Sequence, residues 1–172
     1  MKFLLRGVDR VSQIFGLSVA HFYLVCALLT AYEVVSRYVF NSPTLWAFEV
    51  VMVVCATAWA LSGAYVTMRR SHIAITVLYQ HTRGRLRWAL DLLILLTSLA
   101  AMLVLAYAVW PMMFDAMRTI ERSGSSFNSP EPLIIKTALF VGVVLYALQT
   151  VANLIRHFEG LGRAPHSDLD VE

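Results

Sequence analysis

Glu33 and Arg37 stand four residues apart, in the order that favours an ion pair along one helix face. Glu49 follows Trp46 by three residues, just beyond a short turn from Arg37, so an Arg37–Glu49 bridge across that turn is a second arrangement to test. The same residues can be read in three ways. They are a self-neutralised pair and a clamp between two helices, they are contacts with another subunit, or Glu33 is a proton-coupling carboxylate. His21 is the only histidine deep in an apolar run and has no second histidine at matching depth, so a hydrogen bond to a neighbouring helix is expected rather than haem ligation. His72 and His81 lack metal-site spacing. Cys26 and Cys55 are expected to be small reduced packing residues at similar depth, and the chain has no CxxC pair.

Other polar groups look like anchors. Asp91 stands four residues after Arg87, Asp115 three before Arg118, and Lys136 can reach along its own stem to the membrane surface. Gln149 and Asn153 lie one turn apart and are expected to hydrogen-bond to a neighbouring helix. The sequence offers no nucleophile–base pair, no metal cluster and no phosphate-binding glycine loop, so neither an enzyme nor a cofactor is expected. No run of polar groups crosses the apolar segments either. These features point to a partner or scaffold.

The elements that hold these residues are read from hydropathy. Four stretches, 11–32, 50–68, 92–114 and 137–155, contain no Asp, Glu, Lys or Arg. Each is long enough to cross about 30 Å of hydrocarbon as a helix. They do not alternate as barrel strands do. With 172 residues, 59% apolar and 15% charged, the chain fits one all-α membrane domain over 1–160, with spans at about 11–36, 44–68, 88–113 and 131–156. The polar tail 161–172 is expected to be disordered. No internal repeat is seen, which disfavours an inverted-repeat transporter within this one chain.

Net charge is +3, but its distribution argues against nucleic acid. Ten Lys and Arg fall before span 1, between spans 2 and 3 and after span 4, against four on the other side. The positive-inside rule then places both termini in the cytoplasm. The first apolar run is too long for a signal peptide and lacks a convincing cleavage site, so it reads as a retained helix.

The connections carry their own signals. Residues 1–10 form a short basic leader, expected as the first amphipathic turns lying at the inner surface. Ser42-Pro43 reads as a cap and first position of helix 2. The second connection places Ile73, Val77 and Leu78 at helical spacing ahead of Arg83, Arg85 and Arg87, which predicts a short interfacial helix, with Gly84 marking the turn into helix 3. Arg69, Arg70, Arg83, Arg85, Arg87, Trp88 and Trp110 are the candidate lipid contacts. The two tryptophans are 22 residues apart, matching the spacing of the two aromatic belts. Pro111 is expected to kink or end helix 3. The connection 115–131 is expected to be mobile or to order against a partner, and Ser129-Pro130-Glu131 to cap and charge the start of helix 4.

The hairpin Arg37-Tyr38-Val39-Phe40-Asn41-Ser42-Pro43-Thr44-Leu45-Trp46-Ala47-Phe48-Glu49 resembles the Arg-Tyr-x-Phe-Asn-x-Pro…Trp-x-x-Glu stretch of the small membrane subunit of tripartite ATP-independent periplasmic (TRAP) transporters, the DctQ-type family. Arg70-Ser71-His72-Ile73 is similar to that family's short segment after helix 2. The likeness spans about residues 10–157, and outside the first hairpin it is carried by hydropathy and spacing. Phe48 departs from the pattern where many members carry a second acidic residue, so a contact needing two carboxylates is not expected to carry over.

The resemblance implies a multi-pass protein of the bacterial inner membrane that pairs with a large permease subunit. That subunit would carry the sodium and substrate sites and an elevator-like moving domain. A periplasmic binding protein would deliver a C4-dicarboxylate, sialic acid or another carboxylate. Glu33, Arg37, Asn41, Pro43, Trp46 and Glu49 would then be hairpin-clamp or subunit-interface residues. Two other classes stand beside this one. One is a self-sufficient oligomeric transporter or channel using Glu33. The other is a membrane anchor of a redox enzyme, which the lack of paired histidines disfavours.

Overall fold

Hydrocarbon offers no partner for a backbone N–H or C=O, so each apolar run winds into a helix that satisfies its own groups. The computed structural model describes residues 2–69 and 85–159. Within them the helices are α1 (Lys2–Tyr38), α2 (Ala47–Met68), α3 (Arg85–Thr119) and α4 (Glu131–Phe158). All four are long and apolar enough to cross a membrane. Hydroxyls inside the spans turn back onto their own helix: Ser18 to the Ile14 carbonyl at 2.9 Å, Thr30 to Cys26 at 2.8 Å and Thr97 to Leu93 at 2.8 Å. Each bond lets a polar side chain sit in apolar surroundings at little cost.

The helices do not close into a symmetric bundle. α2 packs most extensively on α4, α1 packs chiefly on α2 and more lightly on α4, and α3 packs on α4. The order across the molecule is therefore α1, α2, α4, α3. Between membrane helices, packing of small residues replaces the hydrophobic drive, and the α2–α4 seam follows that rule. Ala58, Ala64 and Ala152 are buried, and a Cβ added to Gly142 would stand 2.3 Å from the Ala60 carbonyl oxygen. Of α3, only Val109, Met113 and Ala116 are buried. Large apolar side chains along the rest of α3 and along α1, among them Leu17, Leu24, Leu28, Leu103, Val104 and Tyr107, face outward.

Hydropathy located the spans well and their ends less well. α1 begins at Lys2, so the basic leader is part of the first helix. α2 starts at Ala47, with Trp46 at the N-cap and no side-chain cap, rather than at Ser42-Pro43. The cause lies at Thr44, whose N–H and hydroxyl both turn to Glu33 and hold this stretch across the face of α1. α3 runs through Pro111 to Thr119 instead of ending there. It closes at Ile120, which adopts a left-handed φ of 48° while the Glu121 N–H bonds to the Ala116 carbonyl at 3.1 Å, a Schellman ending. α4 starts at Glu131 as expected, but its N-cap is Pro130 and the Ser129 hydroxyl is engaged elsewhere. The expected interfacial helix, Gly84, His72 and His81, and the tail 161–172 lie outside the described residues.

Candidate functional site

The Tyr38–Trp46 turn and the connection 120–130 lie at the same end of the molecule, and the candidate residues converge there. Glu33 uses both carboxylate oxygens. Oε1 accepts from Arg37 Nη2 at 2.7 Å and Nε at 3.2 Å, and Oε2 accepts from the Thr44 N–H at 3.2 Å and from its hydroxyl. The local i,i+4 pair thus forms as its spacing predicts. It leaves Arg37 half exposed, with 53% of its side-chain surface open against 16% for Glu33. Asn41 takes a left-handed φ of 49°, which its short polar side chain tolerates. The Ser36 hydroxyl ties the Ser42 carbonyl at 2.6 Å, and the Trp46 ring stacks on Tyr32 at 6.1 Å. Pro43 lies in the irregular stretch between these ties. A groove of about 290 Å³ opens between α1 and α2, lined by Thr30, Glu33, Val34, Arg37, Tyr38 and Phe48. Tyr38, Val39, Phe40, Leu45 and Phe48 stand exposed at this end.

Glu49 is not part of that cluster. The expected Arg37–Glu49 bridge does not form, because Arg37 is held by its own helix neighbour and Glu49 is buried against the other connection. Its Oε1 accepts from the hydroxyls of Ser123, at 2.9 Å, and Ser125. Its Oε2 accepts from the Ser129 N–H at 3.1 Å and from the Ser129 hydroxyl. The connection closes on itself around this carboxylate. The Ser123 N–H bonds to the Ser129 carbonyl at 3.0 Å, Arg122 to the Asn128 carbonyl at 2.8 Å, and Lys136 pairs with Glu121. A segment expected to be mobile or partner-ordered is therefore folded within the chain, and its first residues, 115–119, are the last turn of α3. The sequence signal for this was the serine cluster itself: several hydroxyl donors in one short connection call for an acceptor.

The remaining candidates separate. His21 bonds to the Leu17 carbonyl of its own helix at 3.1 Å and is exposed, not joined to a neighbouring helix. Arg118 lies 4.4 Å from the centre of the Phe114 ring instead of pairing with Asp115. Trp110 packs on Phe114 and Phe140 at the hairpin end. Trp88 stacks on His157 at 5.0 Å at the end carrying the termini. Arg69 lies 5.4 Å from the Tyr65 ring centre, Arg85 and Arg87 occupy the first turn of α3, and Arg70 and Arg83 lie outside the described residues.

One cluster was not anticipated. At the termini end Asp9 pairs with Arg156 at 2.5 Å and accepts from Gln149 Nε2 at 3.0 Å, while the Ser12 hydroxyl donates to Gln149 Oε1 at 2.8 Å. Asn153 donates to the Thr67 carbonyl at 2.9 Å. Gln149 and Asn153 do reach neighbouring helices, as expected. The missed partner, Asp9, sits in what looked like a leader, and only the early start of α1 brings it into register.

Chemically, Glu33 and Glu49 are both occupied by fixed donors from this chain. The arrangement binds the turn and the connection to the helices and presents an apolar rim beside the half-open Arg37 guanidinium. No curated protein matches the chain. The sequence model of the family described as tripartite ATP-independent periplasmic transporters, DctQ component, matches residues 26–160, which takes in the hairpin, Glu49 and the serine connection. The chain belongs to that family, the small membrane component of TRAP transporters.

Proposed function

We propose that this chain is a non-catalytic scaffold subunit of a sodium-coupled TRAP transporter. It widens the fixed wall against which an elevator-type large subunit moves an organic acid, such as a C4-dicarboxylate, sialic acid or another carboxylate. Sodium and substrate sites belong to that large subunit, and a soluble binding protein delivers the substrate. Both termini lie in the cytoplasm of a bacterium and the hairpin end faces the periplasm. The half-open Arg37 and the exposed rim of Tyr38, Phe40, Leu45 and Phe48 meet a protein partner, with Asn41, Pro43 and Trp46 shaping the turn.

The observation that carries this reading is that Glu33 and Glu49, the two carboxylates of the hairpin, are taken up by internal donors. Glu33 is held by Arg37 and Thr44, and Glu49 by three serines. A coupling carboxylate must exchange its proton with solvent during turnover, and a group so engaged serves structure better. The α1 and α3 faces, apolar and outward, suit a subunit that lies against lipid and a larger partner.

Co-expression with the large subunit and affinity capture of this chain tests the reading. Arg37→Ala and Glu49→Ala are expected to lower both complex yield and uptake. Unchanged yield and uptake in both variants would remove the assigned role of the hairpin.

A further inference from the structure

The two cysteines of the chain meet across the α1–α2 contact. Cys26 Sγ and Cys55 Sγ lie 2.8 Å apart, although 29 residues separate them, and both are free thiols. A disulfide has an S–S length of about 2.05 Å, so less than about 1 Å of approach shared between two side chains would form the bond. The short connection between the helices sets the register that produces this contact. Cys26 stands twelve residues before the end of α1, and Cys55 eight after the start of α2. At about 1.5 Å per residue these positions are roughly 18 and 12 Å from the helix ends, within apolar spans. A reagent that reaches them must dissolve in hydrocarbon. The hydrophilic thiols that buffer aqueous cysteines do not meet that condition.

We propose that Cys26 and Cys55 form a redox-active dithiol that a lipid-soluble quinone converts to an intrachain disulfide. Two S–H bonds break and one S–S bond forms. The two electrons and two protons pass to the quinone, which departs as the quinol. The product ties α1 to α2, the two helices that flank the turn in which Glu33 and Arg37 of α1 hold Thr44. This proposal is independent of the transport reading.

The test uses the full chain in its own membranes with its partners present. Membranes are treated with a short-chain ubiquinone analogue, or with diamide as a membrane-permeant control. They are then denatured in N-ethylmaleimide, and the intact chain is weighed. The untreated chain should take up two maleimides. After quinone it should take up none, and dithiothreitol should restore both. Cys55→Ser should take up one throughout, while intact mass shows no intrachain bond. Retention of two maleimides after both oxidants, or disulfides only between chains, overturns the pairing. Closure with diamide alone overturns the quinone as oxidant.

Discussion

Glu49 is the side chain on which the hairpin end turns. It is buried, and its donors come from residues 74 to 80 positions away, so one carboxylate fastens a whole connection to α2. Glu49→Gln replaces acceptor oxygen with an N–H₂ group that faces the Ser129 N–H or the serine hydroxyls, a mismatch of donors. Tryptic cleavage after Arg122, which lies in that connection, should then accelerate roughly tenfold or more. Cleavage at the wild-type rate would show that the serines hold the loop without the carboxylate. Because the loop is closed within this chain, the wild-type rate should be the same with and without partner subunits. The Glu33–Arg37 pair was legible because it needs only one helix and a spacing of four. The short turn makes an Arg37–Glu49 bridge plausible from sequence, but the structure does not form it. The actual partners of Glu49 are neutral, distant and visible beforehand only as a surplus of serines.

At the scale of the elements, hydropathy is enough to locate four helices, since uniform apolar runs of this length cross hydrocarbon as helices and do not alternate as barrel strands would. It does not say which helix touches which, because the spans are apolar all round and lipid-facing and helix-facing positions look alike. The choice rests on small and polar residues. Gly142 lets α4 approach the Ala60 carbonyl of α2, and Gly142→Ala should cost about 1–3 kcal/mol through overpacking, seen as a lower melting temperature in detergent. Gly63→Ala, where the added Cβ would meet only the Tyr146 ring at 3.1 Å, should cost less. Equal melting temperatures for the two variants would mean the α2–α4 seam is looser than drawn. At the termini end, Gln149 joins α4 to α1 through Ser12 and Asp9. Ser12→Ala should weaken that join by about 0.6–2 kcal/mol, and in a double-mutant cycle the loss should vanish in a Gln149→Leu background. Additive losses would place the two residues in separate interactions. The early start of α1 that puts Asp9 in register was not readable from a basic, mixed-polarity leader.

At the scale of the whole molecule, four apolar helices in the order α1, α2, α4, α3 make a wall with outward faces on both flanks. The deeper polar side chains that join helices, Gln149 and Asn153, are spent on neighbouring helices, and Glu33 and Glu49 on the hairpin and its connection. In the proposed role such a wall positions a moving subunit. The first-hairpin motif points to the family from sequence alone, because it specifies residue types and not only greasiness. The substrate stays outside the chain, since by this reading its binding sites belong to other subunits. The most direct measurement is uptake of a radiolabelled organic acid into proteoliposomes under an inward sodium gradient, with this chain alone and then together with its large subunit and binding protein. Uptake is expected only from the three components together, and none from the chain by itself. Sodium-driven uptake by the purified chain alone would contradict the scaffold role.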